Sequence, residues 1–468
     1  MTLNVARIMK YLSKKGIGIT NNRQSKLIVP LLLCCITAAV GCHSEVSNKD
    51  ADNTNRQGQG PNELLVEAPG ESESPITTSR DITQTRLVRI NSNALQALPR
   101  LSTFTDRAAT LISFRLANDL TVIGVVQEFE KNGAGSEIWT GTLQDSPDSF
   151  FVLVQRNGQL AAHVMAPQGD FYVLPTNKDT LYRLDQIQIT SDEPPKCAVK
   201  TPDKKRRLGA AQPSATLLRD DGKRVDILVV YTAEAEKYFG GADKLKVVVD
   251  LAEKETNLAL VNSLVDLQVR VVNILRLTSF KETLGDADGT SDKDLERLAK
   301  GVDGKEARDL RDSNKADQVT LLRVQGDNEG IAYLLSAPLD PDYDQTEAFS
   351  VLRVDNVVYK YNFTHELGHN LGCHHNAPNV GLYRFSRGHC FKLPDGKTYG
   401  TVMSYCGADR RISHYSNPNV KYPSATSGVA TGEPEFLPDG SNNPKAADCA
   451  RTIRESKLQV ANYRQSGP

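Results

Sequence analysis

The chain has 468 residues, too many for one ordinary domain and enough to bury two cores. Its 56 Lys and Arg stand against 57 Asp and Glu, a formal net charge of −1, so no bulk field draws it to nucleic acid or to an acidic lipid surface. Composition excludes a polybasic nucleic-acid binder and leaves a globular chain of more than one domain.

Residues 1–42 read as a targeting segment. Lys10, Lys14, Lys15, Arg23 and Lys26 precede the apolar run LIVPLLLCCITAAVGC. That run is shorter than the roughly 18 residues a membrane helix needs and contains Pro30, so export is expected rather than a permanent span. It ends in AVGC, which resembles the lipobox of bacterial lipoproteins and implies acylation of Cys42 and an outer-membrane lipid anchor; a plain cleaved signal peptide is the alternative. Either way the chain is expected to be secreted or held at the cell envelope. Residues 43–80 are polar and poor in large apolar side chains, the composition of a flexible tether.

Residues 81–207 begin with short runs of strand character, LTVIGVVQEFE, EIWTGTL, SFFVLVQRNGQLAAHVMA and DFYVLP, parted by Gly, Asn, Asp and Pro. They predict an antiparallel β domain without a catalytic cluster. DEPPKCAVKTPDKKRRLGAAQPSA follows, rich in proline and charge, and reads as an exposed connector with KKRR (204–207) as a cleavage site.

In residues 208–468 the pattern changes. VDILVVYT is a continuous apolar run suited to a buried strand, and GADKLKVVVDLAEKETNLALVNS spaces its apolar residues for a long helix. VDLQVRVVNILRL and ADQVTLLRV are further strands, with the helical DKDLERLAKG and KEARDLRDSN between them. The alternation predicts an α/β domain with a mostly parallel sheet. NEGIAYLLSAPL is a short edge strand, and FSVLRVDNVVYKYNFTHELGHNLG leads into a helix.

That helix carries HELGHNLGCHH, from His365 to His375. Residues four apart share a helix face, so His365 and His369 can aim imidazoles at one ion with Glu366 beside them. Gly372 lets the chain leave the helix and bring His375 round as a third ligand, with His374 the competing candidate. Three histidines leave a fourth tetrahedral position to water, the mark of a catalytic zinc site, with one Zn2+ expected. Glu366 is the expected general base.

HELGHNLGCHH followed by TVMSYC resembles the metzincin metalloproteases, in which a methionine turn passes beneath the zinc ligands; Met403 would be that methionine. Within the clan the chain is most similar to reprolysin-like bacterial enzymes of the peptidyl-Asp metalloendopeptidase type. The similarity runs from VDILVVYT through GIAYL, FTHELGHNLG and TVMSY to RISHYSNPNV and the last helix. It implies a metzincin catalytic domain with a twisted sheet and a long active-site helix, acting on protein or peptide substrates. Asn376 departs from the pattern, since reprolysins usually carry aspartate after the third histidine. Tyr405 stands two residues after Met403, where astacin-like and serralysin-like members carry a tyrosine that contacts metal or oxyanion. Substrate is expected to add as a strand along GIAYL, over Ala332 and Tyr333. Arg410 and Arg411 would favour an acidic residue just after the cut; a broad-specificity protease is the alternative, and a non-catalytic surface binding protein on the same fold is the rival from another class.

Of the 8 cysteines, Cys34, Cys35 and Cys42 belong to the targeting segment, leaving Cys197, Cys373, Cys390, Cys406 and Cys449. An odd number leaves one unpaired in an oxidising compartment. PPKCAV resembles the cysteine switch of reprolysin and matrix metalloprotease propeptides, which makes Cys197 the thiolate that closes the zinc shell in a latent zymogen inhibited by its own prodomain. The alternative is a disulfide from Cys197 to the protease domain. The other four can form two bridges in any of three pairings.

Overall fold

The structure, a computed structural model, describes residues 63–71, 81–100, 110–188, 197–201, 220–285, 287–336, 345–405, 407–408, 410–424 and 428–465. The targeting segment with Cys42, the KKRR site and Cys406 lie outside the described residues.

Period-two apolar patterning builds the first sheet. Its strands are β1 (Leu65–Glu67), β2 (Ile82–Ile90), β3 (Leu111–Ala117), β4 (Leu120–Lys131), β5 (Glu137–Leu143), β6 (Ser146–Arg156), β7 (Gln159–Ala166), β8 (Gly169–Pro175) and β9 (Tyr182–Ile187), with helix α1 (Ser92–Gln96) after β2. The nine strands are ordered β1-β2-β9-β8-β7-β6-β5-β4-β3 and every neighbour is antiparallel. Asn157 and Gly158, with φ of 47° and 78°, make the tight β6–β7 hairpin, because left-handed residues match the twist of the flanking strands. The sheet starts earlier than the tether reading allows: Leu64 and Leu65 are buried and Leu65 pairs with Ile90. Two leucines and a valine in a polar stretch suffice to draw the chain onto the sheet.

The second sheet is mixed. β10 (Cys197–Lys200) and β11 (Arg224–Tyr231) are followed by α2 (Ala233–Phe239), α3 (Ala242–Asn262), β12 (Gln268–Arg276), α4 (Thr290–Lys300), α5 (Lys305–Ser313), β13 (Gln318–Arg323), β14 (Gly330–Tyr333), β15 (Phe349–Arg353) and the active helix α6 (Asn362–Asn370). The order is β10-β14-β15-β13-β11-β12. β11, β12, β13 and β15 run parallel, whereas β14 is antiparallel to β15. FSVLR, read only as a lead into the helix, supplies β15. The central β11 is buried from Val225 to Tyr231, as its continuous β-branched run requires of a strand covered on both faces.

Helix α3 lies between the two sheets, packed on β12 and on β6 and β7. Toward its own domain it offers Leu245, Val248 and Leu260 to the core shared with Val229 and Met403. Its charged residues meet the β domain: Asp250 takes Arg156 and Ser136, and Lys254 takes Glu128 and Glu130. Glu255 takes His163, and Lys244 takes Asp179. Beyond α6, β16 (Cys390–Lys392), β17 (Thr398–Gly400) and β18 (Arg410–Arg411) form a small sheet, and α7 (Cys449–Val460) closes the domain. Among the described residues no helix is long and apolar enough to cross a membrane.

Candidate metal centre

Every residue of α6 is buried. Gly372 ends it at φ 95°: Gly372 N donates to the His369 carbonyl at 2.9 Å and Cys373 N to the Gly368 carbonyl at 2.9 Å, a Schellman cap that only a left-handed residue completes without strain. The cap reverses the chain and returns His375 to the helix. One donor atom from each of Cys197, His365, His369 and His375 then lies within 4.8 Å of the others, the one such metal-binding cluster among the described residues.

The donors fit zinc. His365 Nδ1 donates to the Val402 carbonyl at 2.8 Å and His369 Nδ1 to the Cys373 carbonyl at 2.7 Å. Each neutral ring is thereby fixed with its Nε2 lone pair inward, and the two Nε2 atoms face each other at 3.1 Å. Two lone pairs at that distance repel unless a cation lies between them. His375 Nε2 is buried with no hydrogen-bond partner among the described residues. Burial, with repulsion from His374, holds His369 down to about 3. Burial and its histidine neighbours likewise hold His365 and His375 well below the ordinary histidine value, so all three are neutral and can act as ligands. Three imidazoles and a thiol suit one zinc ion. His374 stays outside the cluster, its Nδ1 accepting from His375 N at 2.7 Å.

Glu366 is fully buried, one oxygen without a partner among the described residues, and burial pushes its carboxyl up to about 8. A cation beside it would oppose that shift. The carboxylate presses against β14 so closely that a Cβ on Gly330 would lie 2.2 Å from Glu366 Oε1. The glycine of GIAYL therefore makes room for the general-base candidate. Under α6, Met403 is fully buried, and a side chain at Gly368 would meet its sulfur at 2.4 Å. Tyr405 meets His375 edge-on, ring centroids 4.5 Å apart, its buried hydroxyl unpartnered among the described residues. Asn376 Oδ1 accepts from Tyr405 N at 2.8 Å, so the amide found in place of aspartate ties the methionine turn to the third histidine.

β10 lies parallel on β14, with Cys197 opposite Gly330, Val199 opposite Ala332 and Lys200 opposite Tyr333. The edge named for substrate is thus occupied by the chain's own connector. Cys197 Sγ lies 3.1 Å from Glu366 Oε1 and 3.7 Å from His369 Nε2. Cys197 is a free thiol, so the disulfide alternative does not hold. Cys373 and Cys449 are also free, buried side by side with Cys373 Sγ 3.7 Å from the Cys449 carbonyl, while Cys390 is disulfide-bonded. Among the described residues the two-bridge expectation is corrected: Cys373 and Cys449 are thiols that serve as small apolar core residues.

The two arginines diverge. Arg411 is buried, donates to the Ser404 and Lys360 carbonyls and lies 4.4 Å over the Tyr405 ring. Arg410 faces the β domain and pairs with Asp170 at 2.8 Å. Sequence reasoning missed Gly330 as a spacer and missed Lys360, which pairs with Asp81 of the β domain and with Glu329 at 2.9 Å. Lys360 and Tyr361 are both left-handed, at φ 55° and 60°, where most L residues lose about 1–2 kcal/mol each. No spacing rule announces such residues.

A reprolysin-type family model, described as metallo-peptidase family M12, matches residues 221–416. The chain carries a metzincin-type M12 zinc metalloprotease domain, and that domain is a catalytic zinc metalloendopeptidase. It is related to bacterial peptidyl-Asp metalloendopeptidases: the one from Stenotrophomonas maltophilia (strain R551-3) is 26% identical over 391 residues, covering 77% of this chain and 85% of that protein. Among solved structures, a chaperone-substrate complex aligns at TM-score 0.39 and 18% identity, over 67% of this chain and 39% of that one. Metalloproteinase-II from Bacteroides fragilis aligns at TM-score 0.32 and 12% identity, over 66% and 88%.

Proposed function

We propose that the chain is a latent precursor of an exported zinc endopeptidase, blocked by its own β domain and favouring an acidic residue beside the scissile bond. The observation that carries this reading is the Cys197 thiol among the three histidines, on a strand that covers β14. A thiol there takes the ligand position an attacking water needs. When bound, zinc supplies an electrophile that acidifies water and polarises a carbonyl. Glu366 takes the proton of the attacking water and returns it to the departing amine; its unpartnered oxygen supports that role. The Tyr405 hydroxyl donates to the oxyanion, supported by its place beside His375. Ala332 and Tyr333 hold the substrate main chain once β10 has left, after cleavage at KKRR.

The acid preference is supported by Arg410, on the short strand that follows the methionine turn, and by the name of the Stenotrophomonas relative. Export, with or without acylation of Cys42, is supported by the basic and apolar N-terminal stretch alone. Casein hydrolysis by the unprocessed full chain tests latency. Cys197→Ser is expected to raise the rate at least tenfold over wild type; equal rates would refute the block.

A further inference from the structure

We propose that Asp170 stands in the full chain where the acidic side chain of a substrate stands on Arg410, and that Lys360 is the second cation of the same pocket. The inference rests on the acid preference proposed above and adds the residues that read the acid and the residues that mask them.

Successive strand residues point to opposite sides, so on β18 Arg411 turns to the methionine turn and Arg410 to the β domain. Arg410 grips Asp170 in the two-pronged way guanidinium reads any carboxylate: Nη2 to Oδ1 at 2.8 Å and Nε to Oδ2 at 3.2 Å, with the Gly169 carbonyl at 3.0 Å. Every one of these acceptors belongs to the β domain. Among the described residues, no carboxylate of the protease domain pairs with Arg410. Lys360 has Asp81 from the β domain and Glu329 from its own domain, and only Glu329 stays when the β domain leaves.

The two cations share one pocket. Asp170 and Tyr172 line it from the β domain, and Lys360, Tyr361, Arg410 and Arg411 from the protease. Arg411 joins it to the metal centre, lying against the Tyr405 ring that meets His375 edge-on and holding the Lys360 carbonyl. Asp170 is itself held in place. His163 lies 3.4 Å from it, stacks on Tyr172 at 4.1 Å and pairs with Glu255 of α3 at 2.7 Å. The β domain therefore masks the cleft at two points, the metal with Cys197 and the cationic pocket with Asp170.

The test uses the full chain nicked by limited trypsin, with paired peptides that differ only in Asp or Asn after the scissile bond. Arg410→Met is expected to lower the Asp-to-Asn ratio of kcat/KM at least thirtyfold and Lys360→Met at least fivefold, with Arg410→Lys restoring part of the ratio and zinc content reporting the fold. In the unnicked chain, Asp170→Asn is expected to speed release of the β domain at least tenfold. If wild type prefers neither peptide, the acid preference itself fails and this inference with it. If wild type prefers Asp and Arg410→Met keeps that preference, the preference stands and this inference alone is overturned; an unchanged release rate in Asp170→Asn overturns the masking.

Discussion

On the protease side of the cleft, α6 is buried at every residue and rests on Met403 and Tyr415, and each ligand histidine is aligned by a backbone carbonyl or by the Gly372 cap. On the β-domain side, Val152, Val154, Tyr172 and Ile187 join the protease's own apolar core, and paired charges are added to that contact: Asp250 with Arg156, Lys254 with Glu128 and Glu130, Glu255 with His163, Arg410 with Asp170 and Lys360 with Asp81. Apolar packing has no competitor in water, while each of those charges would be well solvated alone. The contrast teaches that the chemistry rests on apolar packing throughout, while its cover adds to the apolar contact a set of charges that water can take over when the β domain leaves.

Attacking one side at a time sharpens the contrast. The largest effect is expected from chelation: casein hydrolysis by the nicked protein should vanish and return with added zinc, and a metal-independent rate would break the protease side of the argument. Glu366→Gln should keep zinc, measured by metal analysis, and lower peptide hydrolysis about a thousandfold, within the span of a general base. Glu366→Gln should not loosen the β domain. Arg156→Ala does the reverse: it strips the main partner of the buried Asp250 and should weaken the cover by about 2–3 kcal/mol, seen as faster amide exchange in α3 with zinc retained.

The smallest effect is a pH dependence of the cover. Burial pulls His163 down, but Asp170 and Glu255 outweigh it and its value is raised above 6.5. Tyr172 from β8, Tyr361 before α6 and Phe150 from β6 complete its surroundings, with Arg410 behind Asp170. Glu255 is raised as well, chiefly by burial. A group raised in the assembled state binds its proton more tightly there, so the contribution is complete below about 6.5 and is lost as pH climbs through the raised value. Asp170, which is lowered, acts in the opposite sense only at acid pH. Release of the β domain should therefore quicken from neutral to alkaline pH, and His163→Gln should flatten the trend.

The metal centre was legible in the sequence because its rules are local. Four-residue spacing placed His365 and His369 on one face, and a glycine three residues on announced the cap that returns His375. An odd cysteine count implied a free thiol, and the resemblance of PPKCAV to a cysteine switch pointed to Cys197. The cover was not legible: His163 meets Glu255, and Asp170 meets Arg410, across long stretches of chain, and lone charges in strands and helices usually face solvent. Strand β15 escaped because its five residues merge with an apolar run leading to the helix, and β1 because three residues carry no periodicity. Sequence could not separate Arg410 from Arg411, which differ only in the parity of their strand positions.

The parallel seating of β10 on β14 has a consequence for the protein's early life. Without that strip, Gly330–Tyr333 would present a bare row of amide hydrogens and carbonyls, a template onto which any extended neighbour could zip. With β10 seated there, the folded precursor offers no such border to a second copy. A shortened chain beginning after residue 200 is expected to clump during refolding before its catalysis can be measured.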